Sequence, residues 1–219
     1  MSSQDKHHGG LSEEHRRGQS RHGAKQPEVF NPARAALLDD PKRFELLPPD
    51  EIVRLLDAPP GGVVVDFGAG TGTFSIELAR RHPDLKIIAL DEQPEMLELL
   101  KARPVGQLTG IQPMLSDQSA SIAGAVDRVF AINVLHEVGD SVLDTMAALL
   151  NPQGSLLIID WDAAIDRTVG PPKDHTHTAT EARARLLKSG FEVEALEPLR
   201  YHFVLRARRA ARDQRAGNR

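Results

Sequence analysis

VVVDFGAGTGTFSIELARRHPDLKIIALDEQPEM, from Val63 to Met96, decides how the rest of this chain is read. A β-branched run closes on Asp66, passes through Gly68, Gly70 and Gly72, and resumes as an amphipathic helical pattern. A second apolar run, KIIALD, closes on another acid, Asp91. Glycines at such a strand-to-helix turn let the chain bend sharply and let a ligand approach the backbone. The helix start near Gly72 or Thr73 offers free amides and a positive dipole end, suited to a carboxylate or phosphate. Asp91 lies 19 residues after Gly72, where a carboxylate at a strand end can accept hydrogen bonds from both ribose hydroxyls. A dinucleotide site calls for a third glycine at position 73, which here is Thr73. The pattern therefore suits a ligand with a ribose but no pyrophosphate.

Outward from this stretch, strands and helices alternate. Upstream, Asn31 to Leu47 carries helical apolar spacing interrupted by Pro41, and PPDEIVRLLD starts a further helix with Asp50 near its beginning. Downstream, PEMLELLKA is a helix, GIQPML a weaker strand, and VDRVFAIN a strand. A helix around SVLDTMAALL is expected to end at Asn151-Pro152, followed by the strand GSLLIIDWD. The helix TEARARLLKSG then reaches its cap at Gly190. Apolar strands alternating with amphipathic helices predict a parallel sheet covered on both faces. FEVEALEPL and YHFVLRAR are both strand-like with almost nothing between them. Parallel neighbours need a crossover of about a dozen residues, so this last pair is antiparallel if adjacent. The expected fold is α/β, a Rossmann-like doubly wound sheet of about seven strands, mostly parallel with the last strand antiparallel.

With 219 residues the chain has room for one well-cored domain. Residues 1–26 hold hardly an apolar side chain and are expected to be a mobile tail; residues 207–219 form an Arg-rich C-terminal tail. Residues 27–206 form the domain, with 27–58 as a helical cap. The absence of cysteine excludes disulfides, thiolate metal sites and cysteine nucleophiles. A net charge of -4 gives no general reason for nucleic-acid binding. No apolar run approaches the roughly 18 residues of a membrane span, and the start lacks a signal-peptide core, so the expected location is cytoplasmic.

VVDFGAGTG, the acid at position 91, the strand count and the reversed last strand together resemble the class I S-adenosylmethionine-dependent methyltransferases, over about Phe30 to Arg206. That resemblance implies S-adenosyl-L-methionine as cofactor and transfer of a methyl group to a small-molecule acceptor by in-line displacement. It assigns Asp66 and the turn Gly68, Ala69, Gly70, Thr71 and Gly72 to the methionine part. It assigns Asp91 to the ribose, Asp117 to the adenine amino group, and Asn133 to the methionine amino group through its carbonyl. The residue after the ribose acid is usually apolar and packs on adenine; here it is Glu92.

His136 in NVLHEVGD follows the fourth strand, at the edge where open α/β sheets bind ligands, and could deprotonate an acceptor near neutral pH. Packing at a helix start, or contact with the cofactor loop, is the alternative. His175 and His177 alternate, so an extended segment would turn both to one side, beside His136 or over a metal. Without a third ligand no metal is assigned. Trp161 either walls the acceptor pocket or packs against the preceding helix. Phe30, Arg34 and Phe44 are the cap residues placed toward the acceptor, with core packing the alternative. His7, His8, His15 and His22 in the tail read as solvated. The lack of a large inserted domain favours a small acceptor, and the lack of cysteine argues against arsenite. Two other readings remain: a non-catalytic S-adenosylmethionine-binding regulatory or partner protein, and a nucleotide-dependent oxidoreductase. The latter is disfavoured by the glycine spacing and the reversed strand. The acceptor, the methylated atom and the oligomeric state are not legible.

Overall fold

A computed structural model describes residues 31–210; the tail histidines, Phe30 and most of the C-terminal tail lie outside the described residues. Seven strands form one sheet: β1 (Val63–Phe67), β2 (Lys86–Asp91), β3 (Ile111–Leu115), β4 (Val126–Ile132), β5 (Leu150–Trp161), β6 (Phe191–Ala195) and β7 (His202–Arg209). Their spatial order is β3-β2-β1-β4-β5-β7-β6. β1 to β5 pair in parallel, and β7 runs antiparallel between β5 and β6. The expected reversal is there, closed by a short link in which Leu199 and His202 exchange backbone hydrogen bonds of 3.0 and 2.9 Å.

Alternation along the strands fills two cores. Val65, Ile88, Val129, Leu156 and Ile158 face one side, under Leu143 and Met146 of α5 (Asp140–Leu149) and Leu186 of α6 (Ala179–Lys188). Val64, Ile87, Phe130, Leu157 and Ile159 face the other, under α2 (Pro49–Leu56) and α3 (Thr73–Arg81). α4 (Pro94–Lys101) buries Leu97 and Leu100 against Ala89. Side chains of period two on strands and about 3.6 on helices produce this two-sided burial directly.

Three details differ from the sequence reading. α5 stops at Leu149, and β5 begins at once at Leu150, through Asn151-Pro152 rather than after it. The register then jumps from Val126↔Leu150 to Arg128↔Ser155. Asn151 steadies that bulge: its amide donates to Asp127 Oδ1 (2.8 Å), and its Oδ1 accepts from Gln153 N (2.9 Å). β7 also continues past position 206, because Ala207 is buried and Arg208 and Arg209 pair with Glu192 and Phe191. The cap before α2 is a 3-10 turn (Pro32–Leu37) and the single-turn helix α1 (Arg43–Leu46), separated around Pro41. Of the described residues, no helix is long and apolar enough to cross a membrane.

Candidate active site

Successive connections run outward in opposite directions from β1 and β4, and at such a reversal the loops part to leave a crevice at the carboxyl ends of the strands. Asp66, Asp91, Asn133 and Trp161 all stand at that edge. The crevice is a cleft of about 1640 Å³. Typical small-molecule sites measure about 300–1,000 Å³, so this cleft exceeds the volume of one such site.

One wall is the turn from β1 into α3. Gly72 sits at φ +76°, and a Cβ there would stand 2.4 Å from Leu100 Cδ1; one on Gly68 would stand 2.6 Å from Val134 Cγ2. Neither position admits a side chain without movement. The amides of Gly68 and Ala69 donate to Leu90 O (2.8 and 3.0 Å), and Gly70 N donates to Asp91 Oδ2 (2.7 Å). Asp91 Oδ1 accepts from Gln93 N (2.9 Å). The acid ending β2 and the glycine turn are thus one bonded unit. Burial raises the Asp91 carboxyl above its ordinary range against those amide bonds. Asp66, buried beneath the turn, accepts from Ser75 Oγ (2.7 Å), and burial pushes its carboxyl up to about 7.

The N-terminal cap closes on this wall. Asp39 Oδ1 accepts from the hydroxyls of Thr71 and Thr73 (2.7 Å each) and from Arg103. Burial would raise the Asp39 carboxyl, but these three donors outweigh it and hold it low. The Thr71 side chain is therefore committed to the cap, while Ala69 and Gly70 line the cleft.

Opposite stands the β4 edge. Asn133 has a left-handed backbone, φ +61°, and its buried Oδ1 has no hydrogen-bond partner among the described residues. His136 lies in the turn Leu135–Glu137, with Nδ1 2.7 Å from Asp160 Oδ1. Asp160 also accepts from the His136 amide (3.1 Å) and the Trp161 amide (2.7 Å). A carboxylate only accepts, so Nδ1 carries the proton and Nε2 is the basic nitrogen of the neutral ring. Burial lowers the His136 pKa, but the charge and hydrogen bond of Asp160 outweigh it, and the net shift is upward.

Arg185 of α6 braces this turn. It donates to Leu135 O (2.9 Å), Val138 O (2.8 Å), Asp140 Oδ1 (2.9 Å) and His177 Nε2 (2.8 Å). Arginine cannot accept, so His177 Nε2 does; burial and the Arg185 charge keep that ring's pKa low.

His136, His175, His177, Trp161 and Arg34 do come together around the cleft. Trp161 lines the cleft, the first of its two suggested roles, and its ring packs on buried His202 of β7 with centroids 4.1 Å apart. Asp117 is exposed and outside the cleft wall; it opens a 3-10 turn (Ser116–Ile122) that turns Ser116 and Ser119 inward instead. Phe44 packs edge-on against Phe74 rather than on the cleft, as the core-packing alternative has it. Glu92 lines the cleft from an exposed position. Among the described residues there is no group of three His, Cys, Asp or Glu fit to hold a metal. Sequence reading left Asp39, Arg43 and Arg185 unassigned and did not pair Asp160 with His136. Only the strand-end position of Asp160 signalled a site.

An open sheet with its cleft at the β1/β4 reversal, a glycine turn bonded to a strand-end acid, and an orphaned amide oxygen define a nucleoside-binding α/β domain. Residues 64–154 match the family model described as a methyltransferase domain. The chain is 28% identical to O-methyltransferase SfmM3 of Streptomyces lavendulae over 81% of its length, covering 60% of that protein. It is 29% identical to magnesium-protoporphyrin O-methyltransferase of Rhodobacter capsulatus over 49% of its length, covering 53% of that protein. It therefore spans somewhat over half of these relatives. A solved S-adenosylmethionine-dependent methyltransferase from Aquifex aeolicus superposes with a TM-score of 0.74 at 27% identity, over 82% of this chain and 98% of that one. These likenesses support a class I S-adenosylmethionine-dependent methyltransferase domain with S-adenosylmethionine as its cofactor.

Proposed function

We propose that this domain transfers a methyl group to a hydroxyl oxygen of a small-molecule acceptor, with His136 taking the proton. The observation that carries the reading is the His136–Asp160 pair opening on the same cleft as the glycine turn. When bound, S-adenosylmethionine supplies an activated methyl on sulfur, and the electron pair of the broken bond stays on that sulfur. The residues present suit it: Asp91 would hold the ribose, and the turn from Gly68 to Gly72 would leave room for the methionine chain. Asp66 and Asn133 would face its ammonium. Ser116 and Ser119 would line the adenine end, with Asp117 at the rim.

The protein's own work is then positioning and one proton transfer. Holding the acceptor oxygen in line at near-attack distance supplies most of the rate. A hydroxyl is a weak nucleophile until its proton leaves, and Nε2 of His136 is the basic atom available. Asp160 holds the ring in the tautomer that exposes that atom and stabilises the imidazolium that forms. The two O-methyltransferase relatives and a cleft larger than one small-molecule site support the acceptor class.

His136→Gln tests the assignment. Turnover should fall about 10²- to 10⁴-fold while S-adenosylhomocysteine still binds as in wild type. Turnover unchanged at every pH would remove His136 as the base.

A further inference from the structure

Arg43 is a cation on the cleft wall without an ion-pair partner among the described residues. One guanidinium nitrogen donates to Leu38 O (2.5 Å), and the group stands 5.1 Å over the Phe74 ring. The carboxylates whose charges it feels are Asp39 and Asp66. Asp39 is occupied by Thr71, Thr73 and Arg103, and Asp66 by Ser75. Arg185, also on the cleft, is by contrast saturated by two carbonyls, a carboxylate and His177. None of the Arg43 nitrogens is a buried orphan, so its remaining donors open on the cleft that it lines. A guanidinium has five donors in a planar fork that matches a carboxylate.

Its place fixes which carboxylate. Leu38 O accepts both from Arg43 and from the Thr73 hydroxyl (3.1 Å), and Phe74 lies in the first turn of α3. Arg43 therefore hangs over the glycine turn. On the reading proposed above, the amino-acid end of the cofactor falls there, and that end is a zwitterion. We infer that Arg43 binds the α-carboxylate of S-adenosylmethionine, while Asp66 and the orphaned Asn133 Oδ1 face its ammonium. The cap thus supplies the positive charge that the glycine turn lacks.

Calorimetry with two ligands tests this apart from turnover. S-adenosylhomocysteine carries the amino-acid end; 5′-methylthioadenosine is the same thioether nucleoside without it. Arg43→Met, which keeps an unbranched stem over Phe74, should bind S-adenosylhomocysteine roughly 10- to 100-fold more weakly and 5′-methylthioadenosine as wild type does. Arg43→Lys should recover part of the loss. Unchanged S-adenosylhomocysteine affinity, or equal weakening of both ligands, overturns the inference. So does an effect seen only on the acceptor, which would give the carboxylate to that ligand. A wild-type protein that binds neither nucleoside contradicts the methyltransferase reading itself and this inference with it.

Discussion

Asp160 and His136 form a pair in which the carboxylate sets the tautomer and raises the pKa of the ring. The carboxylate has three donors around it, and one of them is the imidazole Nδ1–H. Because the His136 pKa is raised above 6.5, its basic form appears only as pH rises through that higher value. Asp160→Asn removes the larger of the two carboxylate charges that raise it, the other being Glu137. The ascending limb of kcat/KM should then move to lower pH while kcat falls about 10- to 100-fold. A limb that stays in place would detach Asp160 from the chemistry. His202 behaves in the opposite way. It is fully buried with neither ring nitrogen partnered among the described residues, and burial pushes its pKa to about 4. The unfolded chain takes up that proton near 6.5 and the folded one only near 4, so this group makes stability fall as pH drops through that window. Asp66, pushed up to about 7, has the opposite slope over much of the same range, so a wild-type curve alone hides both. His202→Phe keeps a ring on Trp161 and isolates the effect. In urea unfolding, its stability relative to wild type should grow from pH 6.5 to pH 4 by on the order of 3 kcal/mol. A pH-independent difference would contradict a neutral buried His202.

At the scale of elements, the glycine turn is the joint between β1 and α3, and its geometry is dictated by what it touches. Gly72 needs a left-handed backbone and lies where a Cβ would press on Leu100 of α4. Gly72→Ala should cost about 3 kcal/mol in denaturant unfolding, from backbone strain and overpacking together, and weaken S-adenosylhomocysteine binding as well. A loss below about 1 kcal/mol would mean that the turn tolerates a side chain. This joint was legible in the sequence because local spacing specifies it: a strand run, three glycines and an amphipathic helix are contiguous. The reversed β7 was legible for a similar reason, since a short link between two strands forbids a parallel crossover. The beginning of β5 was not, because Asn151-Pro152 reads as a break. It becomes a bulge only through Asp127, which lies 24 residues away. Asp117 shows the same limit: it was read from its position after β3, and the 3-10 turn there leaves it exposed and outside the cleft wall. Contacts between distant segments, such as His136 with Asp160 or Asp39 with Thr71, leave no periodic trace.

Across the whole molecule, one cleft is shared by three parts with different origins. The sheet edge supplies the acids and the glycine turn, α6 and its leading loop brace the His136 side, and the N-terminal cap lies across the turn. Arg103, just beyond α4, joins Asp39 of the cap to complete this closure. A cofactor and a small acceptor enclosed together, with one basic nitrogen between Asp160 and the cleft, is the central claim of this account. The most direct measurement is turnover of S-adenosylmethionine carrying a labelled methyl group, with small hydroxyl compounds fractionated from a metabolite extract as acceptors. S-adenosylhomocysteine should form in equal amount to a labelled methyl ether, and both should be lost in His136→Gln. Tight S-adenosylhomocysteine binding without turnover on any fraction would contradict it, and would leave a protein that binds the cofactor without spending its methyl group.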